Sequence, residues 1–135
     1  MHTFTIPGKP VAKGRPRLGK FGTYTPEKTV NYESKVYLAA VEAKVPMLEG
    51  PVWVELAIWF EWPKSKHRKR EPLGRAWHTG RPDCDNVQKA VADGAEGVCW
   101  RDDAQICQWK VWKRYCAQGE QARVVVEYGS LEETR

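Results

Sequence analysis

Apolar and polar residues alternate most regularly between Val52 and Glu61, with Val52, Val54, Leu56, Ile58 and Phe60 on one side and Trp53, Glu55, Ala57, Trp59 and Glu61 on the other. A period of two predicts a β-strand, because successive side chains leave a strand on opposite faces. The second face is only partly apolar, which suits packing on a helix or a second subunit with the glutamates at the margins. His2, Phe4 and Ile6 alternate with threonines and stop at Pro7-Gly8, predicting a short first strand. Alternating stretches at 104–115 and 122–128, joined by Ala117-Gln118-Gly119-Glu120, predict a terminal hairpin followed by a frayed tail, Glu132–Arg135.

Two segments carry a helical period instead. Thr25 is a suitable N-cap, with Pro26 at the first helical position and Glu27 in the first turn. Val30, Tyr37, Leu38, Val41 and Val45 then form the expected buried stripe, and Pro46 is the stop. A second helix is expected from Asp85 or Asn86, turning Val87, Ala90, Val91 and Val98 toward the core. Gly94 weakens its second half by about 1 kcal/mol relative to alanine and leaves a soft boundary near Gly97. Two basic stretches complete the chain. Lys9–Lys20 is broken by glycine and proline, and 62–81 contains Pro63-Lys64-Ser65-Lys66-His67-Arg68-Lys69-Arg70 and reads as a mobile loop. The expected order is strand, helix, strand, helix, strand, strand. It predicts an α/β protein with a mixed sheet, in a single compact domain over residues 1–135.

Charge sharpens this picture. With 22 Lys and Arg against 17 Asp and Glu, the net charge of +5 favours an anionic partner such as nucleic acid. Seven tryptophans serve the core, a subunit interface or base stacking. Cys84, Cys99, Cys107 and Cys116 form no Cys-x-x-Cys pair, and His2, His67 and His78 are scattered, which argues against a zinc hydrolase and for reduced, mostly buried thiols. No apolar run approaches the roughly 18 residues of a membrane span, and the first residues are too short and polar for a signal sequence, so the expected location is cytoplasmic.

Against the basic background stand Asp83-Cys84-Asp85-Asn86 and Asp102-Asp103. One aspartate of the first pair can cap a helix while the other is a solvated loop charge. Lys89 and Asp93 follow Asp85 at steps of four, as in a surface ion-pair ladder. The sharper reading gathers the carboxylates around Mg²⁺, a hard cation that takes oxygen ligands, and gives Lys89 the developing negative charge of a phosphate under attack. Asp93 is then a support for that lysine. Adjacent strand residues face opposite ways, so one of Asp102 and Asp103 is expected at the site.

Asp83-x-Asp85-Asn86-x-x-Lys89, Asp93 and Asp102-Asp103-Ala104-Gln105-Ile106, with Pro7-Gly8-Lys9-Pro10, Lys13-Gly14-Arg15-Pro16-Arg17 and Tyr24-Thr25-Pro26, resemble the RusA family of phage and prophage Holliday-junction resolvases. The resemblance covers most of the chain. It implies a homodimeric, Mg²⁺-dependent endonuclease that resolves four-way DNA junctions by symmetric nicks in recombination and repair. Carried over by position, the metal ligands are Asp83, Asp85 and Asp103, the essential lysine is Lys89, and Asp102 is a secondary candidate. Val87, Cys84 and Gly94 depart from the family's usual residues. The cations expected to grip phosphates are Lys13, Arg15, Arg17, Lys64, Lys66, Arg68, Lys69 and Arg70. The competing readings are a noncatalytic nucleic-acid-binding protein and a nuclease for other branched DNA, such as flaps and forks.

Overall fold

The structure is a computed structural model and describes residues 1–131. Its strands are β1 (His2–Pro7), β2 (Arg17–Gly19), β3 (Gly22–Tyr24), β4 (Val52–Phe60), β5 (Ala76–Trp77), β6 (Ile106–Tyr115) and β7 (Arg123–Ser130), and its helices are α1 (Glu27–Glu42) and α2 (Cys84–Gly94). The main sheet is mixed, in the order β1-β7-β4-β6-β5, with β4 antiparallel to β7 and parallel to β6. The helices cover one face. There Val52, Val54, Leu56 and Ile58 of β4 join Phe4, Ile6, Val124, Val126, Tyr128, Val36, Val87 and Val91 in one core.

The last two strands do not form the expected hairpin. They lie on opposite edges of β4, so that Leu56 is level with Val126 on one side and Val111 on the other. Side-chain alternation reports which face of a strand is buried; pairing uses the backbone edges, which carry no such signature. The predicted tail lies outside the described residues. On its second face β4 meets no helix. Trp59 is covered there by the guanidinium groups of Arg75 and Arg123, 4.6 and 5.1 Å from its ring centre, and by the edge of Trp112.

Helix α1 starts after Pro26, which occupies the N-cap in place of Thr25, and ends at Glu42, before Pro46. Its buried residues are Thr29, Tyr32, Val36 and Ala40. Of the larger apolar residues expected inside, Val30, Tyr37, Leu38 and Val41 are 44–56% exposed, while Val45 packs against the core from beyond the helix. The reason is the close approach of the helices. A Cβ on Gly94 would lie 2.7 Å from Val36 Cβ and 2.9 Å from the Glu33 carbonyl oxygen, so the Val36 face of α1 is the one set close against α2. Gly94 therefore makes the contact possible, and its helix-propensity cost is the smaller effect. In α2, Val87, Ala90 and Val91 are buried as the pattern predicts, whereas Val98 packs from the segment that follows.

Both basic stretches have more structure than their composition suggests. The first ends in β2, which pairs with β3 as a hairpin. In the second, β5 pairs with β6, the Gln118 side chain accepts from Arg68 N and Leu73 N and donates to Arg68 O, and Trp62 Nε1 donates to Gly74 O at 3.0 Å. Arg75 also pairs with Glu120 at 2.8 Å, so this loop is fastened at several points where a mobile segment was expected. All four cysteines are free; Cys99 and Cys116 are buried and Cys107 is exposed. Among the described residues no helix is long and apolar enough to cross a membrane.

Candidate functional site

The N-terminal loop is built into the helices that carry the acidic motif. Lys13 N donates to Asn86 O at 2.9 Å in the first turn of α2, and Gly14 N donates to the buried Thr29 Oγ1 of α1 at 2.8 Å. Glycine is required at position 14, since a Cβ would sit 2.8 Å from that hydroxyl and 3.0 Å from Pro26 Cγ. Lys13 Nζ lies between Glu33 of α1 and Asp93 of α2, at 2.5 and 3.1 Å. Burial alone would lower its pKa, but the hydrogen bonds and charges of the two carboxylates raise it overall. Lys13 is thus engaged inside the fold.

Asp83 holds the N-cap position of α2 with extended backbone, yet its side chain makes no capping hydrogen bond. Asp85 lies in the first turn. Both are exposed, and among the described residues neither carboxylate makes a side-chain hydrogen bond or ion pair. The capping explanation for this pair therefore leaves its oxygens unused, beside unpaired amides and the positive end of the helix dipole. Lys89, one turn on, is exposed. The expected Asp85–Lys89–Asp93 ladder does not form. Asp93 pairs with Lys13, so it does not serve as the support of Lys89.

A second group of acids lies past the other end of α2. Trp100 is fully buried and donates from Nε1 to Ala92 O at 3.0 Å, fixing the segment that leaves the helix. Asp102 caps the short 3₁₀ turn Asp103–Gln105, accepting from Ala104 N at 2.9 Å, while Gln105 Oε1 accepts from Asp102 N at 3.1 Å. Gln105 Nε2 in turn donates to Leu48 O and Gly50 O. Glu96 accepts from Asp103 N at 3.1 Å. Oxygens of Glu96, Asp102 and Asp103 come within 4.8 Å of one another. Burial, a hydrogen bond with Asp102 and the charges of Asp93, Glu96 and Asp102 push the Asp103 carboxyl above its ordinary pKa.

This donor set suits a hard divalent cation, which would relieve the repulsion among the three acids. Glu96 was absent from the residues chosen by motif. Its signal is weak: a glutamate beside Gly97, whose φ of +89° turns the chain back before Asp102-Asp103. Among the described residues, Asp83 and Asp85 join no such group of three. Asp103 is thus gathered with the acids at the C-terminal end of α2.

The expected DNA-gripping cations other than Lys13 are free. Arg15, Arg17, Lys64, Lys66, Arg68, Lys69 and Arg70 are exposed, with no ion pair among the described residues. A cleft of about 580 Å³ opens beside Asp83 and Asn86, between the N-terminal loop and the edge of the sheet.

Comparison with known proteins agrees with the motif. The family described as endodeoxyribonuclease RusA matches residues 7–127. The chain is also similar to an uncharacterized protein, YqaN, of Bacillus subtilis (strain 168), at 33% identity over 133 residues that cover 91% of this chain and 92% of that protein. The family match takes in the N-terminal loop, both helices, both acidic groups and the main sheet apart from β1 and the end of β7. On this evidence the chain belongs to the endodeoxyribonuclease RusA family of DNA-cutting nucleases.

Proposed function

We propose that this protein is a Mg²⁺-dependent, structure-specific endodeoxyribonuclease that resolves four-way DNA junctions by paired symmetric nicks, as a homodimer serving recombination and repair. The observation that carries this reading is the pair of carboxylates, Asp83 and Asp85, on the first turn of α2, which, like Lys89 one turn on, have no ion pair among the described residues. Asp83 and Asp85 are the proposed ligands at the first turn of α2, and Asp103, with Glu96 as its neighbour, is the proposed ligand in the separate acidic group beyond the last turn. A bound Mg²⁺ would polarise a phosphoryl oxygen, supply hydroxide at neutral pH and neutralise the leaving oxygen. Lys89 contributes a fixed positive charge where the phosphate gains negative charge. The exposed Arg15, Arg17 and the 64–70 cluster hold flanking phosphates, a contact that fixes position without reading sequence.

Two-fold symmetry suits a junction with two equivalent strands to cut. The dimer reading is supported by the exposed apolar stripe of α1, where Val30, Tyr37, Leu38 and Val41 form a patch of the kind that marks a protein contact. The test is Asp85→Asn on a four-way junction with Mg²⁺. Cleavage is expected to fall by about 10³-fold with junction affinity kept within a few-fold. Undiminished cleavage would remove Asp85 from the centre, and equal cutting of flaps, forks and four-way junctions would remove the junction preference.

A further inference from the structure

The cleft beside Asp83 has features that phosphate-backbone binding does not explain. Phe60, His78 and Tyr115 line it, and their rings belong to a continuous stack. Phe60 and His78 are 4.0 Å apart at 20°, His78 and Tyr115 are 4.7 Å apart, and Trp62 lies on Tyr115 at 3.9 Å and 11°. The stack is held from behind. His78 N donates to Lys113 O, Trp62 Nε1 to Gly74 O, and Cys116 N to Phe60 O. His78, Trp62 and Tyr115 nevertheless remain partly open to solvent.

Lys9, Lys28 and Arg81 stand on the rim, exposed and without ion pairs among the described residues. Within the wall, His78 Nδ1 is buried with no hydrogen-bond partner. Burial and the nearby Lys113 lower the His78 pKa below its ordinary value. At about 580 Å³ the cleft lies in the size range of small-molecule sites.

We propose that this cleft receives one unstacked nucleotide of the cleaved strand, with its base against the His78–Tyr115 wall and its phosphates at Lys9, Lys28 and Arg81. Aromatic rings with interspersed cations match the two parts of a nucleotide, a flat base and an anionic link. Asp83 and Asn86 line the same cleft, so a base seated there brings its own phosphate to the first turn of α2. A branch point supplies such a nucleotide at low cost, because stacking is already interrupted there. The pocket then selects which phosphate is cut. This inference rests on the N-terminal end of α2 being the cleavage centre.

The test uses photo-crosslinking of the full chain to four-way junctions and to short single strands that carry 5-iodouracil at one position at a time, without Mg²⁺. Crosslinks from one or two adjacent junction positions are expected on His78 or Tyr115, which line the cleft. Crosslinks confined to other surfaces, such as Trp77 across the sheet, or no crosslinks at all, would overturn the pocket. In parallel, His78→Ala should flatten the preference among nick sites by about tenfold while junction affinity stays within threefold. An unchanged nick pattern in that variant also overturns it. Crosslinking requires no turnover, so a protein that crosslinks through these rings but never cuts junctions would refute the proposed reaction and leave the pocket standing.

Discussion

At the first turn of α2, Asp83 and Asp85 present carboxylates without a hydrogen bond or ion pair among the described residues, whereas beyond its last turn Asp102 and Glu96 accept from the backbone of Ala104 and Asp103. The two groups have similar composition and opposite degrees of engagement. Carboxylates that accept backbone hydrogen bonds stabilise a turn and have fewer oxygens to offer a ligand; unengaged ones keep all of theirs. The difference assigns chemistry chiefly to the N-terminal end and architecture chiefly to the C-terminal end. Asp103, crowded by other acids, is the exception at the C-terminal end.

The contrast can be tested from both sides. Lys89→Met should lower single-turnover junction cleavage by about 10²-fold or more, the usual size for losing a charge that stabilises a transition state, with an unchanged urea midpoint. A loss of only a few-fold would make Lys89 a surface residue and erase the distinction. Gly94→Ala acts at the other end and should reduce stability by about 1–3 kcal/mol, as overpacking does, although helix propensity alone would favour alanine. Urea unfolding decides the sign, and a stabilised variant would refute the close helix crossing. The smallest effect is expected for Asp102→Ala, about 1 kcal/mol of stability for a lost cap with cleavage within a few-fold of the parent. A loss of cleavage matching that of Asp85→Asn would turn Asp102 from a cap into a ligand.

Much of the fold was legible in the chain because burial leaves a local trace. β4 and the inner face of α2 follow their periodicities, and the N-terminus of α2 falls within two or three residues of the expected start. The stripe of α1 was misjudged because it was read from apolar character, while the face that meets the core includes the polar Thr29 and Tyr32. The close approach to α2 is made at Val36 and Glu33, which turns Tyr37 and Leu38 outward. The acidic motif was visible by spacing, but its internal partners were not. Lys13 reaches Asp93 over a separation of 80 positions, and Glu96 reaches Asp103 only because Trp100 ties the intervening segment to Ala92.

What the sequence determined by itself was therefore the two helices and the four long strands β1, β4, β6 and β7, the α/β class, and the presence of two acidic motifs in a basic protein, since each is written in neighbouring residues. The tertiary structure alone decided that β6 and β7 flank β4, that Asp102 is a cap, and that a ring-walled cleft opens beside Asp83. Strand partners and cleft walls depend on backbone edges and close approaches between distant segments, and those contacts leave no periodic mark along the chain.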